Sequence, residues 1–439
     1  MAICKWPSVT RYRVDHLLTM AERPSLHSPG IVDVDQGRVL WSGPADSAPV
    51  HEGEIESLRG LLIPGLVNTH AHTPMMLLRG AGEGLPVSRW LTEVMWPREG
   101  RLTSEDVESA MTLGAGELLT NGITTSHEMY FLAEDVAQAA AAAGLRCVVT
   151  PPVLVAPDLA RFGTWQEQVD QMVELADRWV DHPLVTVGFG PHSAYALSEE
   201  TLVRVAELSA SHGMHIQIHV EEQAREGDEV RQRTGLSVTA YLDRLGIFTT
   251  RAVAAHGVWL SPSDIEILAA RPVGVAHCPC SNAKHASGMA PVAELRKAGI
   301  PVGLGTDGPA SHDRLDLFEE MRWALRIARL RAGDAGVMGP LDVLAMATAE
   351  GASLLGRDDI GRLAPGCRAD MVLIDTNSLV PVVEAGDLLT HLVYSGSPSL
   401  VRDVWVEGKR VVADGQPLYV DMAAARSDVT TRARRLAES

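Results

Sequence analysis

No apolar run in the 439 residues reaches the roughly 18 needed to cross a bilayer. The opening stretch, MAICKWPSVTRYRV, lacks the basic start, apolar segment and small-residue cleavage site of a secretory signal. These two absences lead us to expect a cytoplasmic protein with no membrane partner. Positive charge is also in short supply: 38 Lys and Arg face 56 Asp and Glu, for a net charge of −18. Such a balance disfavours binding to a phosphate backbone, which depends on cationic side chains displacing counterions, so no nucleic-acid partner is expected. Cysteine is sparse, five in all, and the spacing of Cys278 and Cys280 is neither that of a zinc ribbon nor that of a CxxC redox pair. Reduced structural thiols are the reading. Low-complexity tracts and short solenoid repeats are absent too.

What is present is an ordinary globular composition, 46% hydrophobic and 21% charged with 39 glycines. The length suits one large domain with a smaller companion. Residues 1–60 read as short strands and turns, with a hairpin at Asp35 to Gly37 in GIVDVDQGRVLWSG. The same character returns in ADMVLIDTNS and in VRDVWVEGKRVVADG, where Glu407-Gly408 makes a tight turn, so residues 1–60 and 366–439 are expected to complete one small β-sandwich. The closing AAARSDVTTRARRLAES reads as an exposed helix.

Between them, over 61–365, apolar strands alternate with helices. Strand candidates are GLLIPGLVNTH, GITTSHEM, LRCVVTPPV, VTVGFGPH, MHIQIHV, AVAAHG, VGVAHCP and PVGLGTDG, each near-continuously apolar, as strands buried on both faces are. Helix signals lie between them: Ser198 caps SEETLVRVAELSASHG, with Gly213 past its end, and Ser261-Pro262 opens SPSDIEILAA. Eight such units over about 300 residues have the size of an α/β protein built as a (β/α)8 TIM barrel. A doubly wound open sheet is the alternative.

TIM-barrel chemistry sits at the C-terminal mouth, so the strand ends matter most. The first candidate ends in His70 and His72, the fourth in His192, the fifth in His219, the sixth in His256, the seventh in His277 and the eighth in Asp307. Residues i and i+2 of a strand point the same way, so His70 and His72 can grip one ion. Imidazole and carboxylate donors suit zinc or ferrous iron, with one position left open for water. The expected ligands are His70, His72, His219 and Asp307, while His256 holds the attacking water or ligates directly. Glu222, three residues past His219, can bend over the pocket as a proton carrier, and His277 is a candidate supporting residue.

Six stretches carry a resemblance: PGLVNTHAHTPMMLLRG, WLTEVMWPREGRLT, GFGPHSAYALSEE, HVEEQ, HCPCSNAKHASGMAPV and GLGTDGPASHDRLDLFEEMR. With them the chain resembles, almost end to end, the amidohydrolase superfamily and its cytosine/guanine/adenosine deaminase branch, including the methylthioadenosine/S-adenosylhomocysteine deaminases. The resemblance implies a (β/α)8 barrel flanked by a β-sandwich, homo-oligomerisation, and hydrolysis of a ring amine. Glu99 matches the acid that holds the ribose hydroxyls, and His192 a substrate-contacting histidine. Binuclear members bridge two metals with a fourth-strand lysine; TVGFGPHSAYAL has His192 and no lysine, so one divalent ion is expected, zinc before iron.

In such a site a hydroxide attacks the amine-bearing carbon, Glu222 moves a proton to the adjacent ring nitrogen, and Asp307 passes one to the departing ammonia. The expected substrate is an adenine nucleoside: adenosine, 5'-methylthioadenosine, 5'-deoxyadenosine, S-adenosylhomocysteine or aminodeoxyfutalosine. The rival keeps the site but takes a free guanine, pterin, cytosine or s-triazine, for which Glu99 would have no ribose to hold. A rival of another class is a non-catalytic scaffold, which the full ligand set argues against. An arginine of some S-adenosylhomocysteine deaminases is replaced near Pro151, which counts against an amino-acid tail on the substrate. Arg161 reads as a solvated charge, with an anion contact as the alternative. Glu128, His285 and His312-Asp313 also depart from the family pattern, and we expect them near the pocket mouth. His127 and the remaining histidines read as structural or surface residues.

Overall fold

The computed structural model describes residues 9–377, 379 and 385–438. Cys4 and Ser378, the last residue of ADMVLIDTNS, lie outside the described residues. Both termini build one nine-stranded sheet. Its order is Gln416–Pro417, Lys409–Ala413, Val401–Val406, Met371–Ile374, Ile55–Pro64, Thr10–Leu18, Gly30–Asp35 and Arg38–Pro44, with Leu26–His27 paired to Thr10–Leu18. The two expected hairpin turns are there. Gln36-Gly37 and Glu407-Gly408 all have positive φ, the twist-matching conformation of two-residue hairpins. Tyr12, Val14, Leu62, Met371 and Trp405 belong to a separate apolar core on this sheet.

The barrel strands follow the sequence reading closely. In order they are Leu66–Ala71, Ile123–Glu128, Arg146–Val149, Val185–Val187, Ile216–Val220, Ala252–His256, Val273–His277 and Val302–Leu304. Neighbours pair in parallel within two four-stranded halves. Single bridges join the halves, Phe189 to Ile216 on one side and Ala71 to Asp307 on the other, and close the ring. An open doubly wound sheet is thereby excluded. Val67, Val148, Val253 and Ala276, from four of the strands, pack with Leu354 of helix Ala349–Leu354.

The run GLLIPGLVNTH differs from expectation: it is two strands. Ile55–Pro64 pairs with Met371–Ile374 in the terminal sheet, and only Leu66–Ala71 enters the barrel. Gly65 is the joint, since a Cβ there would stand 2.0 Å from Thr124 Oγ1. A second tie is electrostatic. Arg146, fully buried on the third strand, donates to both carboxylate oxygens of Asp370 at 3.0 and 3.2 Å and to Glu407 on the hairpin turn.

Helix ends obey local rules. Ser198 accepts from the Thr201 N–H, Gly213 ends that helix in the left-handed region, and Ser261 and Asp264 form a capping box. The closing segment is a largely exposed helix, Met422–Glu438. Among the described residues no helix is long and apolar enough to cross a membrane. Cys147, Cys278, Cys280 and Cys367 are free and buried.

Candidate active site

The first and eighth strands meet through a matched pair of bonds: Asn68 Nδ2 donates to Thr306 Oγ1 at 2.8 Å, and the Thr306 N–H donates to Asn68 Oδ1 at 2.9 Å. This lock brings His70, His72 and Asp307 to one point of the barrel mouth. Asp307 and His256 leave their strands with φ of 55° and 73°. For non-glycine residues such angles cost on the order of 1–3 kcal/mol and persist only where the surroundings hold them. Here the surroundings are a cluster of ligating atoms. Gly305 allows the close approach, because a Cβ there would stand 2.9 Å from His70 Cβ.

Four imidazoles turn their Nδ1 atoms outward to acceptors. His70 faces Gln217 Oε1 at 2.5 Å, His72 the Met129 carbonyl at 2.6 Å, His219 the His192 carbonyl at 2.8 Å and His256 Asn282 Oδ1 at 3.0 Å. Each acceptor calls for a proton on Nδ1, which leaves a lone pair on Nε2. The Nε2 atoms converge: His219 stands 3.4 Å from His72, and Asp307 Oδ1 lies 3.5 Å from His70 and 3.3 Å from His72. Donor atoms of one tetrahedral ion with bonds of 2.0–2.1 Å are about 3.3–3.4 Å apart. His70 Nε2 is buried with no hydrogen-bond partner among the described residues. His256 joins His70 and Asp307 in a second overlapping group of candidate ligands.

Electrostatics agree with this arrangement. Burial lowers the pKa of His70, His219 and His256, favouring the neutral ligating form. Burial opposes charge on Asp307 as well, yet His70 and His72 hold it well below the usual carboxylate range. Against burial, Asp307 in turn raises His72. Ser281 Oγ donates to the far oxygen, Oδ2, at 2.6 Å and fixes the carboxylate plane.

A cleft opens above the cluster at the barrel mouth, with His72, His219, His256 and Asp307 at its floor. Its walls include Glu99, His192, Glu222 and an aromatic set of Trp90, Trp96, Tyr130, Phe131 and Tyr195. Glu222 is buried, and burial with repulsion from Asp307 pushes its pKa up to about 8. Glu99 is 2% exposed and is raised to about 7 by burial, with Tyr130 working the other way. His192 is lowered to about 3 by burial and the neighbouring histidines, so it is neutral.

With this geometry in view, similarity to known proteins is informative. The profile of the amidohydrolase family matches residues 61–411. This chain belongs to the amidohydrolase family. A 5-methylthioadenosine/S-adenosylhomocysteine deaminase of Pelotomaculum thermopropionicum is 38% identical over 427 residues, 96% of this chain and 97% of that protein. A 5'-deoxyadenosine deaminase of Methanothermobacter thermautotrophicus is 38% identical over 384 residues, 87% of each chain. The crystal structure of an adenosine deaminase from Xanthomonas campestris with bound zinc superposes with a TM-score of 0.93 at 32% identity, covering 98% of this chain and 99% of that one. The donor set described above fits the divalent metal of this amidohydrolase.

Other expected residues fall in different places. His285 does line the cleft, tilted against Trp90 at 4.9 Å between ring centroids. Glu128 does not: it accepts from the Thr73 N–H at 2.8 Å and Thr73 Oγ1 at 2.6 Å, bracing the turn after His72. His312 also lies off the cleft lining, beside Glu319 and Glu320, and Asp313 pairs with Lys284. His127 is buried against His215, Nε2 to Nε2 at 3.2 Å. His277 is buried outside the cleft lining, with neither ring nitrogen hydrogen-bonded among the described residues. Arg161 donates to the Leu102 carbonyl and stacks on Phe162. Sequence reasoning missed Gln217 and Asn282 as imidazole partners and the aromatic wall. Gln217 stands two residues before His219 on one strand face, which was a usable signal.

Proposed function

We propose that this amidohydrolase hydrolyses the 6-amino group of an adenine nucleoside to the inosine-type product and ammonia, using one zinc ion. The chain is a hydrolytic deaminase, and its relatives' names point to adenine nucleosides. The observation that carries the reading is one cleft that holds the converging Nε2 atoms, a buried carboxyl at Glu222 and a second at Glu99. In it His70, His72, His219 and Asp307 hold the ion, with His256 beside them. When bound, a divalent ion there makes water a usable nucleophile near neutral pH.

The protein's own groups handle the protons. Glu222, whose proton is easily taken and given near neutral pH, accepts one from the attacking water and delivers it to the ring nitrogen next to the amine-bearing carbon. His256 orients the nucleophile with its Nε2, since Asn282 occupies Nδ1. Asp307 passes the remaining hydroxyl proton to the amine, which leaves as ammonia. His192 contacts the substrate, and the aromatic wall gives the purine a face to pack on. Glu99 holds the ribose hydroxyls, a role with no counterpart for a free base. His277 supports the site from behind the cleft. For the domains, we propose the expected division 1–60, 61–365 and 366–439 with its first boundary moved to Gly65, since residues 61–64 pair in the terminal sheet, and a homo-oligomer as the working assembly.

The test is ammonia release by the zinc-loaded chain from adenine nucleosides that differ at the 5' position, with adenine, guanine and cytosine as ribose-free controls. Activity confined to nucleosides is expected. Turnover of a free base with none on nucleosides would overturn the substrate reading and leave the metal cluster in place.

A further inference from the structure

Outside the cleft, a second set of ligating atoms comes together. Cys280 of helix Pro279–Lys284, His312 of the loop after the eighth strand and Glu319 near the start of helix Leu317–Ala332 each offer a donor atom, and the three lie within 4.8 Å of one another. Glu320 adds another carboxylate. Its Oε1 is 2.9 Å from His312 Nδ1, and its Oε2 accepts the Cys280 backbone N–H at 3.1 Å. On the other side of the ring, Glu319 Oε2 is 3.7 Å from His312 Nε2.

Burial makes this cluster unusual. The His312 side chain is 4% exposed and that of Glu320 is 0% exposed. Even so, neither His312 ring nitrogen nor Glu320 Oε1 completes a hydrogen bond among the described residues. Close approach without hydrogen-bond alignment leaves buried polar atoms under-used, which ordinarily costs stability. We propose that Cys280, His312 and Glu319 form a second metal site, for zinc, separate from the catalytic ion, with Glu320 held against the other ring nitrogen of His312.

A thiolate, an imidazole and carboxylates are zinc donors, whereas magnesium and calcium take oxygen alone. Donor atoms around tetrahedral zinc stand about 3.3–3.8 Å apart, and the 3.7 Å between His312 Nε2 and Glu319 Oε2 already falls in that range. Charge balances as well. Burial disfavours the imidazolium, but Glu320 and Glu319 face it and raise the pKa of His312 to about 10. Zinc forms bonds to one ring nitrogen and to sulfur as their two protons leave to water, so the dication replaces two positive charges. The net charge of the cluster is unchanged. The placement suggests a purpose: Cys280 precedes Ser281, which donates to Asp307, and His312 follows Asp307 on the same loop. The second ion would clip together the helix and the loop that hold this carboxylate.

The experiment is to strip the whole chain with a chelator, dialyse it against zinc chloride alone, and count metal per chain by elemental analysis. Two zinc ions are expected in the wild type, and one each in Cys280→Ser, in His312→Asn and in the His70→Ala/His72→Ala double variant. Cobalt reconstitution should give a sulfur-to-cobalt charge-transfer band in the near ultraviolet for the wild type and the double variant, and none for Cys280→Ser. One zinc in the wild type, none in the double variant and no sulfur band would overturn the second site and leave the catalytic reading standing. One zinc with a sulfur band that survives the double variant would sustain the second site and remove the catalytic one. The cobalt band needs only Cys280→Ser to fold, so it decides the matter even if loss of His312 unfolds the protein.

Discussion

Glu222 and Glu99 are both carboxyls kept protonated to unusually high pH, for different reasons and with different consequences. Glu222 feels burial and the negative charge of Asp307, and its part is to carry a proton. Glu222→Gln keeps the hydrogen-bonding shape but cannot exchange that proton, so metal content should persist while turnover falls by roughly 10²-fold or more. Unchanged turnover would remove Glu222 from the chemistry. Glu99 is raised mainly by burial, to about 7. The ribose hydroxyls donate to a carboxylate, so binding needs the ionised form. An acid with a raised pKa keeps its proton to higher pH, and 1/KM for adenosine should therefore rise as pH increases through about 7. Glu99→Gln should raise KM and flatten that step, whereas a step that survives the substitution must come from another group. The same shift has a stability sign: between about 4.5 and 7 the unfolded chain has lost this proton while the folded chain retains it, so stability falls as pH rises across that window.

Between elements, Arg146 is the main electrostatic tie from the barrel to the terminal sheet. Its guanidinium is fully buried against Asp370 and Glu407, so truncation leaves the buried Asp370 carboxylate without a cation, while Glu407 keeps its pair with Arg368. Arg146→Ala should cost on the order of 3–5 kcal/mol in urea unfolding with kcat nearly unchanged, because the arginine lies at the far end of its strand from the cleft. A loss below about 1 kcal/mol would show that the tie is replaceable. This contact also marks the limit of what the primary structure discloses. The eight strands were legible because strands buried on both faces read as apolar runs, and the gathering of His70, His72, His219, His256 and Asp307 was legible because each ends a strand at the same barrel face. The break at Gly65 was not, since GLLIPGLVNTH is one apolar run and only the side chain of Thr124, some 60 residues away, forces the joint. The aromatic wall was equally hidden: Trp90 and Trp96 come from a short helical stretch and Tyr130 and Tyr195 from loops, and no local pattern says that they face one another. His312 was expected at the pocket mouth; it turns instead towards Glu319 and Glu320, a choice made by two acids on a helix that begins five residues later.

For the whole molecule, the metal's contribution to stability can be separated from its contribution to catalysis. The barrel closes through its backbone ladder and an apolar core that continues from strands to helices, none of which involves the ligating atoms. Chelation should therefore abolish ammonia release while the far-ultraviolet circular dichroism stays that of the folded chain, unlike small domains whose only core is their metal. Stability should still fall, because an ion that binds only the folded state adds RT ln(1 + [L]/Kd), about 4 kcal/mol at a free zinc concentration 1,000 times Kd. Reading the thermal midpoint against free zinc tests this: the midpoint should climb with concentration, and activity should return over the same range. If the metal-free chain loses its secondary structure, the ions are holding the barrel together, and the independence of fold and site argued from its apolar core would have to be abandoned.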